Sequence, residues 1–211
     1  IPVVGSNTRV NSDKLTSYVG SNDVIAGEME AESVIKAIGG KGNVVILEGP
    51  IGQSAQIERR KGNQNVLAKY KDVKVLEMKT ANWSRAEALA LTEDWLNAHP
   101  KGINGVIAQN DDMALGAIQA LKDKKRTDIV VVGVDATPDA LTSLGKGEIA
   151  ATVFQDAAGQ GGGGRSESGA LLGRPRHRRL LAKGVQLLLE LLIVAQQHAA
   201  AVNVGLDFVE A

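Results

Sequence analysis

The stretch Gly105-Val106-Ile107-Ala108-Gln109-Asn110-Asp111-Asp112-Met113-Ala114-Leu115 decides how the chain is read. Gly105–Ala108 is a short apolar run, and the residues from Asp111 to Lys122 have the length and composition of a helix. A run of that length without polar interruption suits a strand covered on both faces, which is the situation of a parallel sheet. Between strand and helix stand Gln109, Asn110, Asp111 and Asp112, a cluster of hydrogen-bonding side chains at a strand's carboxyl end.

The same unit recurs on either side. Asn43–Leu47, Val73–Met78, Ile129–Val134 and Glu148–Phe154 read as further strands, and Asp23–Ile38, Ser54–Tyr70, Ser84–Ala98 and Pro138–Gly145 as further helices. Ser84, three residues before Glu87, has the spacing of a capping box, and Asp111 is placed to cap its helix. Gly39-Gly40 and His99-Pro100 supply stops. Strand and helix in alternation predict an α/β fold, a doubly wound and mainly parallel sheet with helices on both faces. Ligands of such sheets lie beyond the carboxyl ends of the strands.

Composition narrows the function. A chain of 211 residues with 44% apolar content can bury one substantial core, and 24 acidic residues balance 24 basic ones, so nothing asks for nucleic acid. With no cysteine there are no disulfides or thiolate metal sites. The opening Ile1-Pro2-Val3 has neither an initiator Met nor a basic and apolar leader, which fits a cleaved signal peptide or a fragment, and the fragment is the favoured reading.

After Gln155 the alternation stops. Residues 156–184 read as a Gly/Arg-rich linker and 185–211 as a leucine-rich helical tail. Gly159 to Gly164 formally fit Gly-x-Gly-x-x-Gly, but no acidic residue follows at the distance a dinucleotide site needs, so a flexible linker is expected. Arg174-Pro175-Arg176-His177-Arg178-Arg179 lacks interleaved aromatics and reads as a solvated basic run. Residues 185–194 are too short to span a membrane and contain Glu190. They are expected to pack as a helix on their own lobe or a second copy, giving a homo-oligomer through Leu187, Leu188, Leu191 and Leu192.

The polar residues at strand ends compose a candidate site. Asn110 offers an acceptor and two donors, and Asp135, after Val131-Val132-Gly133-Val134, offers a carboxylate able to accept from two hydroxyls. Arg59 supplies a fork of donors, and Gln155 ends the last strand with a second amide. Trp83, in a chain with 3% aromatic residues, stands where an indole can stack on a sugar ring. Each has a purely structural alternative: Asn110 or Asp111 as a helix cap, Asp135 as a turn residue, Arg59 as an exposed ion-pair partner, Trp83 as core filler.

Three stretches, Ala108 to Ala117, Val131 to Asp139 and Ile149 to Gln155, together with Ser54-Ala55 and Glu58-Arg59, resemble the ribose-binding and inositol-binding branch of the periplasmic sugar-binding proteins. The resemblance covers about residues 1–160. It implies the second of two α/β lobes, with residues 1–15 a remnant of the first lobe and 16–155 the sugar-binding lobe. It further implies ligand contacts from Arg59, Trp83, Asn110, Asp135 and Gln155, and from Asn7 in the segment Ile1 to Arg9, where the family carries an Asp-Arg or Asn-Arg pair and this chain has Thr8 in the second place. The implied partners are a monosaccharide or cyclitol and the permease of an ABC importer, in the periplasm, without cofactor or membrane insertion. Beyond Gln160 the resemblance ends, and the Gly, Arg and Leu bias there looks like translation in a shifted frame, which stands as a hypothesis.

Catalysis is not expected. Gly52-Gln53-Ser54-Ala55-Gln56 lacks the second glycine of a nucleophile elbow. The histidines, His99, His177 and His198, lie at a helix end or in the tail, and no metal-ligand spacing occurs. Glu48, Glu77 and Asp135 are each a single acid at a strand end, not a catalytic pair. The sequence therefore points to a non-catalytic, truncated sugar- or cyclitol-binding lobe. A self-associating scaffold or regulatory domain with ligand binding largely lost is the alternative.

Overall fold

Along β3, Gly42–Glu48, successive side chains go to opposite faces of the sheet: Val45 and Leu47 join one buried cluster, Val44 and Ile46 another. Val106 and Ala108 of β5, Gly105–Ala108, likewise face the first cluster and Ile107 the second, and in β6, Val130–Asp135, Val131 and Val132 divide in the same way. The sheet is therefore covered twice, which is why its strands read as unbroken apolar runs.

The computed structural model describes residues 3–162 and the backbone of 191–192. The remaining elements are β1 (Val4–Ser6), β2 (Ser17–Val19), α1 (Asp23–Ala37), α2 (Ser54–Leu67), β4 (Val73–Thr80), α3 (Arg85–Ala98), α4 (Asp111–Asp123), α5 (Pro138–Gly145), β7 (Ala151–Phe154) and β8 (Leu191–Leu192). The main sheet has the order β4-β3-β5-β6-β7-β8, parallel throughout except for the antiparallel β7–β8 pair, and β1 and β2 form a separate parallel pair. Helices α1 and α2 cover the face of Val44 and Ile46, while α3, α4 and α5 cover that of Val45 and Leu47. Chain order reverses between β3 and β5, so the crevice above their carboxyl ends is the topological switch point.

Four expectations change. Asn110, not Asp111, caps α4, its Oδ1 accepting from the Met113 N–H at 2.9 Å, because Asp111 is drawn inward by Thr137 and Thr152. The last parallel strand begins at Ala151, not Glu148, because the Glu148 N–H closes the end of α5 by donating to the Ser143 carbonyl at 3.0 Å. The linker does not begin at 156: residues 157–162 are helical, and Asp156 caps them by accepting from the Gly159 N–H at 2.8 Å. Leu191–Leu192, expected in a helix, form a strand that takes up the hydrogen-bonding edge β7 would otherwise leave open. The rest of the expected linker and tail, with Leu187, Leu188 and the basic run, lies outside the described residues. Among the described residues no helix is long and apolar enough to cross a membrane, and no group of acidic and histidine side chains is placed to hold a metal.

Candidate functional site

The switch point is organised by a residue to which the sequence reading gave no role of its own. Gln109, fully buried just past β5, accepts from the Gly49 N–H at 3.0 Å through Oε1 and donates to the Gln56 carbonyl at 3.3 Å through Nε2. It thereby joins the ends of β3 and β5 to α2. Its backbone carbonyl accepts from Arg59 Nη1, and Arg59 Nε donates to Asp23 Oδ1 at 2.9 Å. Arg59 is 4% exposed, so the expected fork is real, but most of it is used within the protein, in a buried pair rather than an exposed one.

Trp83 lies above this pair, the Arg59 guanidinium 5.7 Å from its ring centroid. The indole N–H donates to Gln53 Oε1 at 2.7 Å, and a Cβ at Gly49 would overlap the six-membered ring, so glycine there is what lets the ring settle on the strand end. Asn82 and Trp83 both have positive φ, 52° and 60°. Asp135, φ 125°, and Ala136, φ 54°, form a second strained turn at the same rim. Each such residue costs about 1–3 kcal/mol and persists only where its surroundings over-determine it. Here the surroundings are explicit. Thr152 Oγ1 accepts from the Ala136 N–H at 3.0 Å, Asp111 Oδ2 accepts from the Thr137 N–H at 2.7 Å, and Thr152 Oγ1 donates to Asp111 Oδ1 at 2.7 Å. Asp111 is thus a buried brace for the Asp135 turn, and burial raises its pKa against these hydrogen bonds.

Asp135 Oδ1 accepts from Gln155 Nε2 at 3.0 Å. Gln155 Oε1 in turn accepts from Ser21 Oγ at 3.2 Å and Gln160 Nε2 at 3.3 Å, which fixes which end of the amide faces Asp135. Burial pushes Asp135 up to about 7; Arg59 opposes that rise, and Asp111, Asp112 and Asp23 add to it. Among the described residues Asp135 Oδ2 receives no donor and Asn110 Nδ2 finds no acceptor, the cap having used only Oδ1.

The expected residues therefore separate. Arg59, Trp83, Asn110, Asp135 and Gln155 all stand at the carboxyl rim of the main sheet, tied together by Gln109 and by the Asp135–Gln155 bond. Asn7 stands apart on the β1–β2 pair, exposed, φ 63°, its N–H donating to the Val19 carbonyl and its carbonyl accepting from Tyr18. Arg9 is turned to α2, its N–H donating to Ser54 Oγ at 3.0 Å and its guanidinium lying over Tyr18. The sequence reading missed Asp23, Gln109, Ser21 and Gln160. Asp23 carried a signal, since an acid directly after a capping Asn22 opens the helix, but nothing local told its partner.

A periplasmic binding protein domain family matches residues 1–164. A xylitol-binding protein of Mycolicibacterium smegmatis is 44% identical over 156 residues, which are 74% of this chain and 45% of that protein. A putative rhizopine-binding protein of Rhizobium meliloti is 40% identical over 171 residues, 77% of this chain and 55% of that protein. The crystal structure of an ABC transporter solute binding protein from Bacillus halodurans with bound myo-inositol superposes with a TM-score of 0.78 at 38% identity, over 82% of this chain and 61% of that one. The chain spans about half the length of the curated relatives it matches. By fold and by sequence, the chain belongs to the periplasmic binding protein domain family.

Proposed function

We propose that residues 16–155 form one wall of a binding site for a monosaccharide or cyclitol. The lobe belongs to a non-catalytic solute-binding component of an ABC importer acting in the periplasm, with residues 1–15 the approach to the other lobe. The observation that carries this is the complementarity of the unused valences at the rim. Asp135 Oδ2 can accept, Asn110 Nδ2 can donate, and the Trp83 ring lies beside them on the same sheet end. A sugar hydroxyl both donates and accepts, and its ring presents an apolar C–H face, so this set of groups matches it group for group. Xylitol and myo-inositol, the compounds associated with the similar proteins above, both carry such hydroxyls, and myo-inositol also has the ring face.

Calorimetric titration of the 211-residue chain with myo-inositol, ribose, galactose and allose tests the reading. One wall supplies only part of the hydrogen bonds, each worth roughly 0.5–1.5 kcal/mol, so the loss of several costs ~2–4 decades and the dissociation constant is expected near millimolar. Absence of binding for all four would sink the proposal, and a submicromolar constant would sink its one-wall form. Among the described residues, Leu191–Leu192, which the self-associating alternative would use, pair with β7 of their own chain.

A further inference from the structure

Further along the α1–α2 seam from Asp23–Arg59 lie two polar side chains whose hydrogen bonding does not close. Asp23, Gly27 and Glu30 form one stripe of α1, and Arg59, Gly62 and Asn63 the facing stripe of α2. A Cβ at Gly27 would overlap the Arg59 backbone, and one at Gly62 the Val24 and Glu28 backbone, so the helices touch main chain to main chain. Such an approach seals the seam, and Glu30 is 0% and Asn63 1% exposed.

Within it, Asn63 Nδ2 donates to the Gly27 carbonyl at 2.8 Å and to Glu30 Oε1 at 2.7 Å. The Gly27 carbonyl can only accept, so the amide cannot be turned the other way. That leaves Asn63 Oδ1 and Glu30 Oε2, two buried oxygens on two side chains already bonded to each other, both without a donor. A buried oxygen in that state costs about 1–3 kcal/mol, and more if charged. A proton on Glu30 Oε2 makes that oxygen a donor, and Asn63 Oδ1, on the side chain already bonded to Glu30, is a buried acceptor that lacks one, so a single proton can answer both defects.

We propose that Glu30 and Asn63 form a carboxylic acid–amide pair, and that this pair is the positioning element that holds α2 in the register placing Arg59 against Asp23 and beneath Trp83. It rests on the proposed function only in treating Arg59 as part of the site. The charged surroundings agree. Arg59 on α2 favours the carboxylate, Asp23 on α1 and Asp135 at the end of β6 oppose it, and β5 and β7, also against α1, carry no charged side chain. Burial dominates and pushes Glu30 up to about 8.

The sign follows from linkage. The folded chain holds the Glu30 proton above the pH at which the unfolded chain, with an ordinary carboxyl near 4.5, releases it. Stability from this group is therefore complete below about 4.5 and is lost progressively as pH rises to about 8. Glu30→Gln keeps the geometry and replaces the O–H donor by an N–H that does not titrate. The experiment is a pair of measurements on the full chain. Denaturation midpoints of wild type and Glu30→Gln should coincide near pH 4.5 and draw apart, in favour of the variant, up to pH 8. The Arg59 Nε–H resonance, identified by its loss in Arg59→Lys, should stay protected from exchange in wild type and Glu30→Gln at pH 6. It should lose at least tenfold of that protection in Glu30→Ala and Asn63→Ala, and in wild type above pH 8. Parallel midpoint curves for wild type and Glu30→Gln would overturn the acid–amide pair. Unchanged Arg59 protection in wild type above pH 8, whether or not the alanine variants fold, would overturn the positioning role. Neither measurement uses a sugar, so a failure to bind myo-inositol would fall on the proposed function alone.

Discussion

The two helix pairs that sandwich the sheet are built alike and filled differently. Each crosses at a glycine with no room for a Cβ, Gly27 and Gly62 between α1 and α2, Gly116 against the Arg85 carbonyl between α3 and α4. Beneath α3–α4 the buried side chains include Trp95, Leu96, Met113, Ala117 and Leu121, an apolar core in which Thr92 bonds back to its own helix and the buried acid, Asp111, stands at the rim end of α4. Between α1 and α2 lie Asp23, Glu30, Arg59 and Asn63. Buried ion pairs of this kind are weak stabilisers, because desolvation consumes most of what the attraction supplies. Their placement under the rim, with Arg59 reaching Gln109 and Trp83, assigns that face to shaping the site and the other to holding the fold.

The largest effect expected of that division is on stability. Trp95 is 2% exposed with a buried N–H lacking a partner. Trp95→Ala should lower unfolding free energy by roughly 3–5 kcal/mol in urea melts, the range for emptying a large aromatic site. Trp95→Phe should cost much less, since it also removes the unpaired donor. If truncation there changed sugar affinity at a pH and temperature where the variant is folded, the two faces would not be separable.

Asp135→Ala is the converse. It removes a charge-assisted hydrogen bond worth roughly 1.5–3 kcal/mol to the ligand, so myo-inositol affinity should fall by about one to two decades with the fold retained. pH sharpens the distinction, because Asp135 sits at about 7. Its raised value means that it favours the fold below the ordinary carboxyl range and that this contribution is lost as pH climbs to about 7. Binding has the opposite sign, since hydroxyls donate best to the ionised form. Affinity should rise as pH passes through about 7 and level off above it, with Asp135→Asn flat throughout. A wild-type profile as flat as that of Asp135→Asn would show that the ligand does not use this carboxylate.

How far these two faces could be read from sequence differs for a physical reason. Strands were legible because a doubly covered strand must be apolar along its whole length, and the start of α3 because Ser84 caps through a bond only three residues long; Asn22 and Thr137 cap α1 and α5 in the same way but were not read as caps. The rim residues Asn110, Asp135 and Gln155 were legible from the strands they end. Partners were not. Asp23 and Arg59 are 36 residues apart, Gly49 and Gln109 60, and Ser21 and Gln155 134, and no periodicity encodes a bond across such separations. The inward turn of Asp111 escaped for the same reason, its partner Thr152 being 41 residues on. Asn110 caps α4 with one amide atom, and its other, Nδ2, has no acceptor among the described residues, which leaves it available to the proposed site.

That spare donor gives a smaller prediction. Ser84→Ala and Asn110→Ala each delete an N-cap and should each cost about 1 kcal/mol of stability. Only Asn110→Ala should also weaken myo-inositol binding, because in the proposed site the spare Asn110 Nδ2 donates to the ligand while Ser84 serves as a cap alone. Equal effects of the two on affinity would reduce Asn110 to a cap.

The smallest effect belongs to the outer surface of the α3–α4 face, where Lys122 Nζ lies 2.7 Å from Glu148 Oε1 with side chains 46% and 25% exposed. The geometry is good, and the Ser143 hydroxyl donates to the other Glu148 oxygen at 3.0 Å. Lys122 holds the Glu148 carboxyl below its ordinary range, yet water screens a pair this open. Exposed pairs contribute about 0–1 kcal/mol, so Lys122→Ala should shift the urea midpoint only slightly at low salt and not measurably at molar salt, with sugar affinity unchanged. A shift comparable to that of Trp95→Ala would mean that this surface is part of the load on the fold, and the contrast between an apolar supporting face and a polar shaping face would have to be redrawn around its rim charges.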